Sequence, residues 1–318
     1  MTANVTVLAS QDQQVRARQL TEQIVADVSG VVLGKTTEIR LALACLLAGG
    51  HLLIEDVPGV GKTLLARTLA AALGLSFRRL QFTSDLLPAD VIGMSVFEQS
   101  RAEFRFHPGP VFAQVVLADE INRASPKTQS ALLEAMEEQQ VTLDGATHPL
   151  PKPFFVIATQ NPAHQVGTFP LPESQLDRFL MRIGLGYPDE ALERKLLRGE
   201  DRREMAAALP ATISVAELAE LQAAAQSLHA ADALLDYVQA LVRFTRQSPD
   251  ITLGLSPRGA QDLVQAARCW ALIHGHAGVH PEDVKAVFPS VAEHRLQGRP
   301  SVAGGDLATQ VLESVAVP

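Results

Sequence analysis

Cysteine is nearly missing from this chain: among 318 residues only Cys45 and Cys269 occur. A disulfide framework or a cysteine-based zinc site needs more of them at closer spacing. Both lie in apolar, helix-like surroundings and read as buried thiols. Long hydrophobic runs are missing too. The best candidate, Leu41–Ile54, is broken by Gly49, Gly50 and His51, and no run reaches the roughly 18 apolar residues that cross a bilayer. Residues 1–14 lack the basic start and apolar middle of a signal peptide, so no membrane insertion and a cytoplasmic location are expected. Positive charge is in deficit: 27 Lys and Arg face 35 Asp and Glu, a formal net charge of −8. That argues against a uniformly basic nucleic-acid face, while leaving a local patch open. Present instead is 47% apolar residues with 19% charged ones, enough for a packed interior and too few charges for a disordered acidic chain. The length fits one large or two modest domains.

The first half alternates short apolar runs with helical patterns. Candidate strands are His51–Glu55, Phe77–Phe82, Val115–Asp119, Phe154–Gln160 and Phe179–Gly184. Helical stretches such as Leu64–Leu73 and Pro126–Glu138 lie between them. This alternation predicts an α/β fold with a parallel sheet between helices. After Gly184–Pro188, a stretch whose Gly and Pro suit a hinge, no strand pattern remains. Helices are expected over Glu190–Arg198, Val215–Leu228, Ala231–Gln247, Pro257–Ile273 and Pro281–Val287. The expected division is therefore a nucleotide-binding core over 1–187 and an all-helical second domain over 188–318.

The strongest chemical signal is His51-Leu-Leu-Ile-Glu-Asp-Val-Pro-Gly-Val-Gly-Lys-Thr63. An apolar strand enters a glycine-rich loop, and a helix opens at Lys62. Nucleoside triphosphates need such a corner. The loop runs through Val57, Pro58, Gly59, Val60 and Gly61, and its two glycines let backbone N–H groups wrap phosphates with no side chain in the way. The helix beginning at Lys62, Thr63 and Leu64 adds unpaired donors and a favourable dipole. Lys62 supplies a charge to the β- and γ-phosphates, and the Thr63 hydroxyl ligates Mg²⁺. Asp56 replaces the first glycine of the usual pattern, a position that tolerates Asp.

Val115-Val-Leu-Ala-Asp-Glu120 ends a buried strand on two carboxylates. In open α/β sheets, ligands bind at the strands' carboxyl ends. Asp119 is placed to hold Mg²⁺ opposite Thr63, and Glu120 to polarise an attacking water. Ser125 and Pro126 already supply the start of the next helix, so the two acids are not needed as its caps. No Asn-Lys-x-Asp guanine-reading motif occurs, which favours ATP.

Together these residues resemble the AAA+ ATPases, and within them the MoxR family. Four stretches carry the match: Glu55–Thr63, Gln81–Gly93, Ala118–Gln129 and Leu171–Phe179. With Ser256-Pro-Arg258, the similarity runs from about Val32 to Arg295. The resemblance implies an AAA+ core with a helical lid. It assigns Asn161 as the sensor that orients the γ-phosphate or the water. Arg178 is implied as the arginine finger acting on a neighbouring subunit, with Arg182 a weaker candidate. Arg258 is implied as the lid's second sensor; it falls in the first turn of a helix, where a cation is disfavoured unless an anion is near. Val32, Leu33 and Gly34 are implied to border adenine.

The resemblance further implies ATP and Mg²⁺ as ligands, a homo-oligomeric ring, expected to be a hexamer, and client proteins. It also implies a separate partner with a von Willebrand factor A domain. Chaperone-like maturation of complexes, with metal or cofactor insertion, is the expected function; a nucleic-acid motor and the ATPase subunit of a metal chelatase stand as alternatives.

Two insertions, Val96–Pro110 and the hairpin Gln140–His148 around Asp144-Gly145, are read as facing the ring pore or a client. Arg78-Arg79 and Arg202-Arg203 read as solvated surface. Trp270 reads as core. His274, His276 and His280, with no carboxylate pattern beside them, read as a surface turn rather than a metal site.

Overall fold

A computed structural model describes residues 11–161, 167–199, 201–299 and 306–317. The reading of the N-terminal stretch as free of a leader falls largely on residues 1–10, outside the described residues.

In chain order the strands are β1 (His51–Glu55), β2 (Phe77–Gln81), β3 (Gly93–Glu98), β4 (Glu103–Pro108), β5 (Val115–Asp119), β6 (Gln140–Leu143), β7 (Ala146–Pro149), β8 (Phe155–Gln160), β9 (Phe179–Ile183), β10 (Ile251–Leu253) and β11 (Gln297–Gly298). Helices of the first half are α1 (Gln11–Val31), α2 (Thr36–Leu47), α3 (Lys62–Ala72), α4 (Pro88–Ile92), α5 (Pro126–Glu138) and α6 (Glu173–Leu176). Those of the second half are α7 (Glu190–Leu197), α8 (Arg202–Ala208), α9 (Val215–Ser227), α10 (Asp232–Gln247), α11 (Pro257–His274), α12 (Pro281–Ala292) and α13 (Leu307–Ser314).

The five expected strands form one sheet in the order β2-β5-β8-β1-β9, all pairs parallel. Alternate residues of each strand face opposite sides, and two apolar clusters result. On one side Leu53, Val116, Ala118 and Val156 pack with Leu132 and Met136 of α5. On the other, Leu52, Ile54, Leu117 and Ile157 pack with residues of α1, α2 and α3. That second cluster continues without a break into Leu218, Leu241, Leu263 and Val287 of the C-terminal helices. The near-continuous apolar runs of β1, β5 and β8 are what a strand covered on both faces requires.

The second half is not free of strand. β10 pairs antiparallel with β11, a two-stranded ribbon whose halves are far apart in sequence and too short to show a period. α12 runs past the expected end at Val287 to Ala292, with Pro289 inside it. The expected caps are in place: Ser125 accepts from Thr128 N–H at 3.3 Å, and Ser256 accepts from Gly259 N–H at 3.0 Å. Cys45 and Cys269 are buried free thiols, and burial raises the pKa of both. Trp270 is partly buried against the larger cluster. No described helix is long and apolar enough to cross a membrane.

Candidate active site

The chain leaves β1 at Glu55 and turns through the glycine-rich loop into α3, whose first residue is Lys62. Gly59 and Gly61 adopt φ of +89° and +99°, a left-handed geometry that glycine enters without steric cost. An added Cβ at either would meet nothing within 4 Å, so the loop encloses open space rather than packed side chains. Lys62 is only 8% exposed. Its ammonium donates to the carbonyl of Asp56, to that of Val57 at 3.3 Å and to Asn161 Oδ1 at 3.3 Å. Burial lowers the Lys62 pKa, opposed by the nearby carboxylates of Asp56, Asp119, Glu120 and Glu55.

The two acids at the end of β5 have separate surroundings. Asp119 Oδ1 accepts the Thr159 hydroxyl at 2.6 Å. Its Oδ2 lies 3.5 Å from the Thr63 hydroxyl and accepts Arg79 Nη2 at 2.7 Å. Glu120 sits at φ +55°, an uncommon geometry for a residue with a side chain and one that gathers at functional sites. Its N–H donates to Thr159 Oγ1 at 2.9 Å. Its carboxylate accepts Asn161 Nδ2 at 3.3 Å and Arg123 Nη1 at 3.0 Å. Lys62, Thr63, Asp119, Glu120 and Asn161 thus converge at one edge of the sheet, where its strands end.

Three members of this cluster were not read from the sequence. Thr159 holds both acids through one hydroxyl. Arg123 fixes Glu120. Arg79, expected to be solvated surface, pairs with Asp119. Arg79 stands on β2 two residues before Gln81, the register partner of Asp119. Only the pairing of β2 with β5 brings the two together.

Open space over two left-handed glycines, a buried ammonium and a hydroxyl beside a carboxylate fit a triphosphate with a hard divalent cation. The loop Val32, Leu33, Gly34 lies against the start of the C-terminal part. A Cβ on Gly34, at φ +68°, would collide with Leu192 of α7 at 2.0 Å. The neighbouring Lys35 donates to the Tyr187 carbonyl at 3.1 Å.

Arg178 and Arg258 are elsewhere. Arg178 immediately precedes β9, and Phe179, the first residue of that strand, pairs with His51, the first of β1. Arg178 therefore stands where strands begin, at the edge opposite the phosphate loop, a strand length of roughly 16 Å away. Arg258 joins it there. Glu137, in the last turn of α5, accepts Arg258 Nη1 at 2.8 Å and lies 3.9 Å from Arg178 Nε. The hydrogen bond from Arg258 holds the Glu137 pKa below its ordinary value. This carboxylate is the anion that offsets the helix-dipole penalty on Arg258. Arg182, the weaker finger candidate, is tied instead to Glu55 at 2.9 Å. Arg202 donates to the Gly30 carbonyl at 2.9 Å.

Both insertions are antiparallel hairpins. β3 and β4 carry Phe97 and Phe104, edge to face at 5.3 Å and 51% and 74% exposed. β6 and β7 turn at Asp144 and Gly145, both at positive φ, as a two-residue hairpin requires. Phe106 of the first hairpin stacks on His148 of the second at 3.9 Å.

Comparison with known proteins gives the family and the fold. The family model described as "ATPase family associated with various cellular activities (AAA)" matches residues 51–181, and "AAA lid domain" matches 243–314. YeaC of Bacillus subtilis, itself uncharacterised, is 44% identical over 92% of this chain and 93% of its own. Chaperone MoxR1 of Mycobacterium tuberculosis is 40% identical over 93% of this chain and 82% of its own. A solved structure from Cytophaga hutchinsonii superposes with a TM-score of 0.87 at 35% identity, covering 96% of this chain and 97% of that one.

Proposed function

The chain belongs to the MoxR family of AAA+ ATPases, and from that premise we propose that it hydrolyses ATP within a ring of identical subunits. One observation carries the reading. The phosphate loop, both carboxylates and Asn161 gather at one edge of the sheet, while Arg178 and Arg258 are held together at the other. A guanidinium so placed cannot serve its own subunit's phosphates, but it can be presented to a neighbour's. Hydrolysis then depends on assembly, with a six-membered ring as the expected form.

In this reading Lys62 and the backbone N–H groups from Gly59 to Leu64 bind the phosphates, in the loop that Val57 and Pro58 lead into, and Val32, Leu33 and Gly34 border the base. Mg²⁺, when bound by Thr63 and Asp119, neutralises phosphate charge. Glu120 takes a proton from the attacking water, which Asn161 orients by hydrogen bonding without adding charge. Arg178 of the adjacent subunit stabilises charge on the transferred phosphoryl, worth about a thousandfold or more in rate; Arg258 reaches the same phosphates.

The work is remodelling or maturation of client protein complexes in the cytoplasm, including metal or cofactor insertion, alongside a partner with a von Willebrand factor A domain. The division proposed is a core over 1–187 and a lid over 188–318, joined through Gly184–Pro188. The exposed Phe97–Phe104 pair favours a hairpin that meets a client.

Affinity capture with Glu120→Gln in the presence of ATP tests this. The stalled ring is expected to retain client and partner that the wild type releases. Equal recovery from Glu120→Gln and Lys62→Ala would count against ATP-gated client binding.

A further inference from the structure

Beside the turn between α11 and α12, in the first turn of α12, stands a carboxylate that the histidines alone do not disclose. Asp283, three residues beyond His280, is 1% exposed in its side chain, and its Oδ1 lies 2.9 Å from His276 Nδ1. The His280 ring is 4.9 Å from that of His276. One ligand atom from each of His276, His280 and Asp283 lies within 4.8 Å of the others.

We propose that His276, His280 and Asp283 form a divalent transition-metal site, with Zn²⁺ the ion they fit. Two imidazoles and one carboxylate are a borderline-soft donor set that suits Zn²⁺ and disfavours Mg²⁺ or Ca²⁺, which take oxygen. Around a tetrahedral zinc, with bonds of about 2.0–2.1 Å, neighbouring donor atoms stand about 3.3 Å apart. The carboxylate and His276 are within half an ångström of that spacing. His280, exposed at the surface, closes the remaining gap by side-chain rotation. Water fills the fourth position.

The backbone beneath the three residues is fixed by contacts that owe nothing to a metal. Gly275 ends α11 in the left-handed geometry at φ +72°, and His276 N–H returns to the Ala271 carbonyl at 2.9 Å, a C-terminal cap that sets where His276 emerges. His280 N–H donates to Asp283 Oδ2 at 2.8 Å, which sets the start of α12. Between them, Val279 N–H donates to the His229 carbonyl at 2.9 Å, tying the turn to the corner between α9 and α10. Donors on a constrained backbone lose little freedom on binding, which is what a preorganised site requires. Capping accounts for Asp283 and places His280, the N-cap of α12, beside it; the same carboxylate is also met by His276, whose ring stands 4.9 Å from that of His280. The ion would pin the α11–α12 turn and stabilise the folded lid. The site is remote from the phosphate loop in sequence and makes no use of the ATPase reading.

The test uses the full chain stripped of metal, with Mg²⁺ in excess to occupy the Thr63–Asp119 pair. Zn²⁺ is added by calorimetric titration, and Co²⁺ by absorption spectroscopy. One equivalent of Zn²⁺ is expected, with a Co²⁺ spectrum of tetrahedral intensity and a thermal midpoint raised by about 3 °C or more. His280→Ala, an exposed substitution, and His276→Ala/His280→Ala are each expected to weaken Zn²⁺ binding about tenfold or more, since losing even an outer-shell partner costs that much. Their metal-free melting midpoints show whether the fold persists. Failure of the wild type to take up one equivalent, or uptake in His280→Ala weakened less than about threefold, would overturn the site.

Discussion

Asp56 Oδ2 accepts the backbone N–H of Gly186 at 2.6 Å. The same oxygen accepts Leu185 N–H at 2.6 Å, and Oδ1 accepts Val57 N–H at 2.7 Å. Where the usual phosphate loop has glycine, this chain has a strap from the loop to the segment that leads into the C-terminal helices. The side chain that looks like a tolerated departure in sequence is a structural tie.

Asp56→Gly, which restores the usual loop pattern, is therefore expected to destabilise the protein. Hydrogen bonds to a charged group contribute about 1.5–3 kcal/mol each. Discounted for partial exposure, the loss is about 2–3 kcal/mol by urea unfolding. An unchanged midpoint would show that the strap is idle.

Lys62→Ala and Glu120→Gln separate binding from chemistry. The first removes the buried ammonium and is expected to abolish measurable nucleotide affinity. The second keeps the shape of the side chain and its contact with Asn161, so ATP binding persists while turnover falls about a hundredfold to ten-thousandfold. Fluorescent-nucleotide titration and phosphate release measure the two effects; turnover near wild type in Glu120→Gln would remove it as the base.

Opposite edges of the sheet carry Lys62 and Arg178, which gives a mixing experiment. Arg178→Ala and Lys62→Ala are each expected to be inactive alone. Mixed, some interfaces unite an intact loop with an intact guanidinium, so ATPase activity returns in part. If no proportion of the two restores activity, the arginine does not act between subunits.

Burial and the bond it accepts from Val156 N–H at 3.0 Å keep His51 neutral. Burial pushes its pKa from 6.5 down to about 4. Above pH 6.5 neither folded nor unfolded protein is protonated there, and stability is unaffected. Between pH 6.5 and about 4 only the unfolded chain takes the proton, so stability falls as pH falls, by roughly 3 kcal/mol in total, and levels off below. His294, held well below its ordinary value by burial, adds in the same direction. Urea midpoints from pH 7 to pH 4 are expected to be less steep in His51→Leu than in wild type, even though the variant begins less stable. Parallel slopes would show that His51 does not govern the acid limb.

The two hairpins give the last prediction. In a Glu120→Gln background, Phe97→Ser/Phe104→Ser is expected to lose captured client while keeping nucleotide affinity; a neutral linker in place of Asp144-Gly145 tests the second hairpin. Retention of client in both variants would take the hairpins out of the mechanism.

Much of the site was legible because its parts are contiguous. A buried strand, two glycines, Lys62 and Thr63 follow one another, and the chemistry of phosphate binding needs them in that order. Asp119 and Glu120 were legible at the end of an apolar run for the same reason. Thr159, Arg79 and Arg123 were not, since a threonine in a strand or an arginine on an edge has no local sign of what it touches. The short pairing of β10 with β11 lacked a period long enough to detect. His276 and His280 were visible, but Asp283 was not read with them, because it lies across a helix start, where an Asp also has an ordinary capping role.

By itself the sequence determined the alternation of strand and helix, the glycine-rich corner that opens α3 and the acids at the end of β5, because hydrophobic period and turn chemistry act over a few neighbouring residues. Tertiary structure alone decided that Arg79 meets Asp119, that Glu137 gathers Arg178 and Arg258 at the far edge, and that Asp56 holds Gly186. Each of those contacts depends on strand register and helix packing between distant segments, and side-chain chemistry carries no record of which distant partner the fold will bring near.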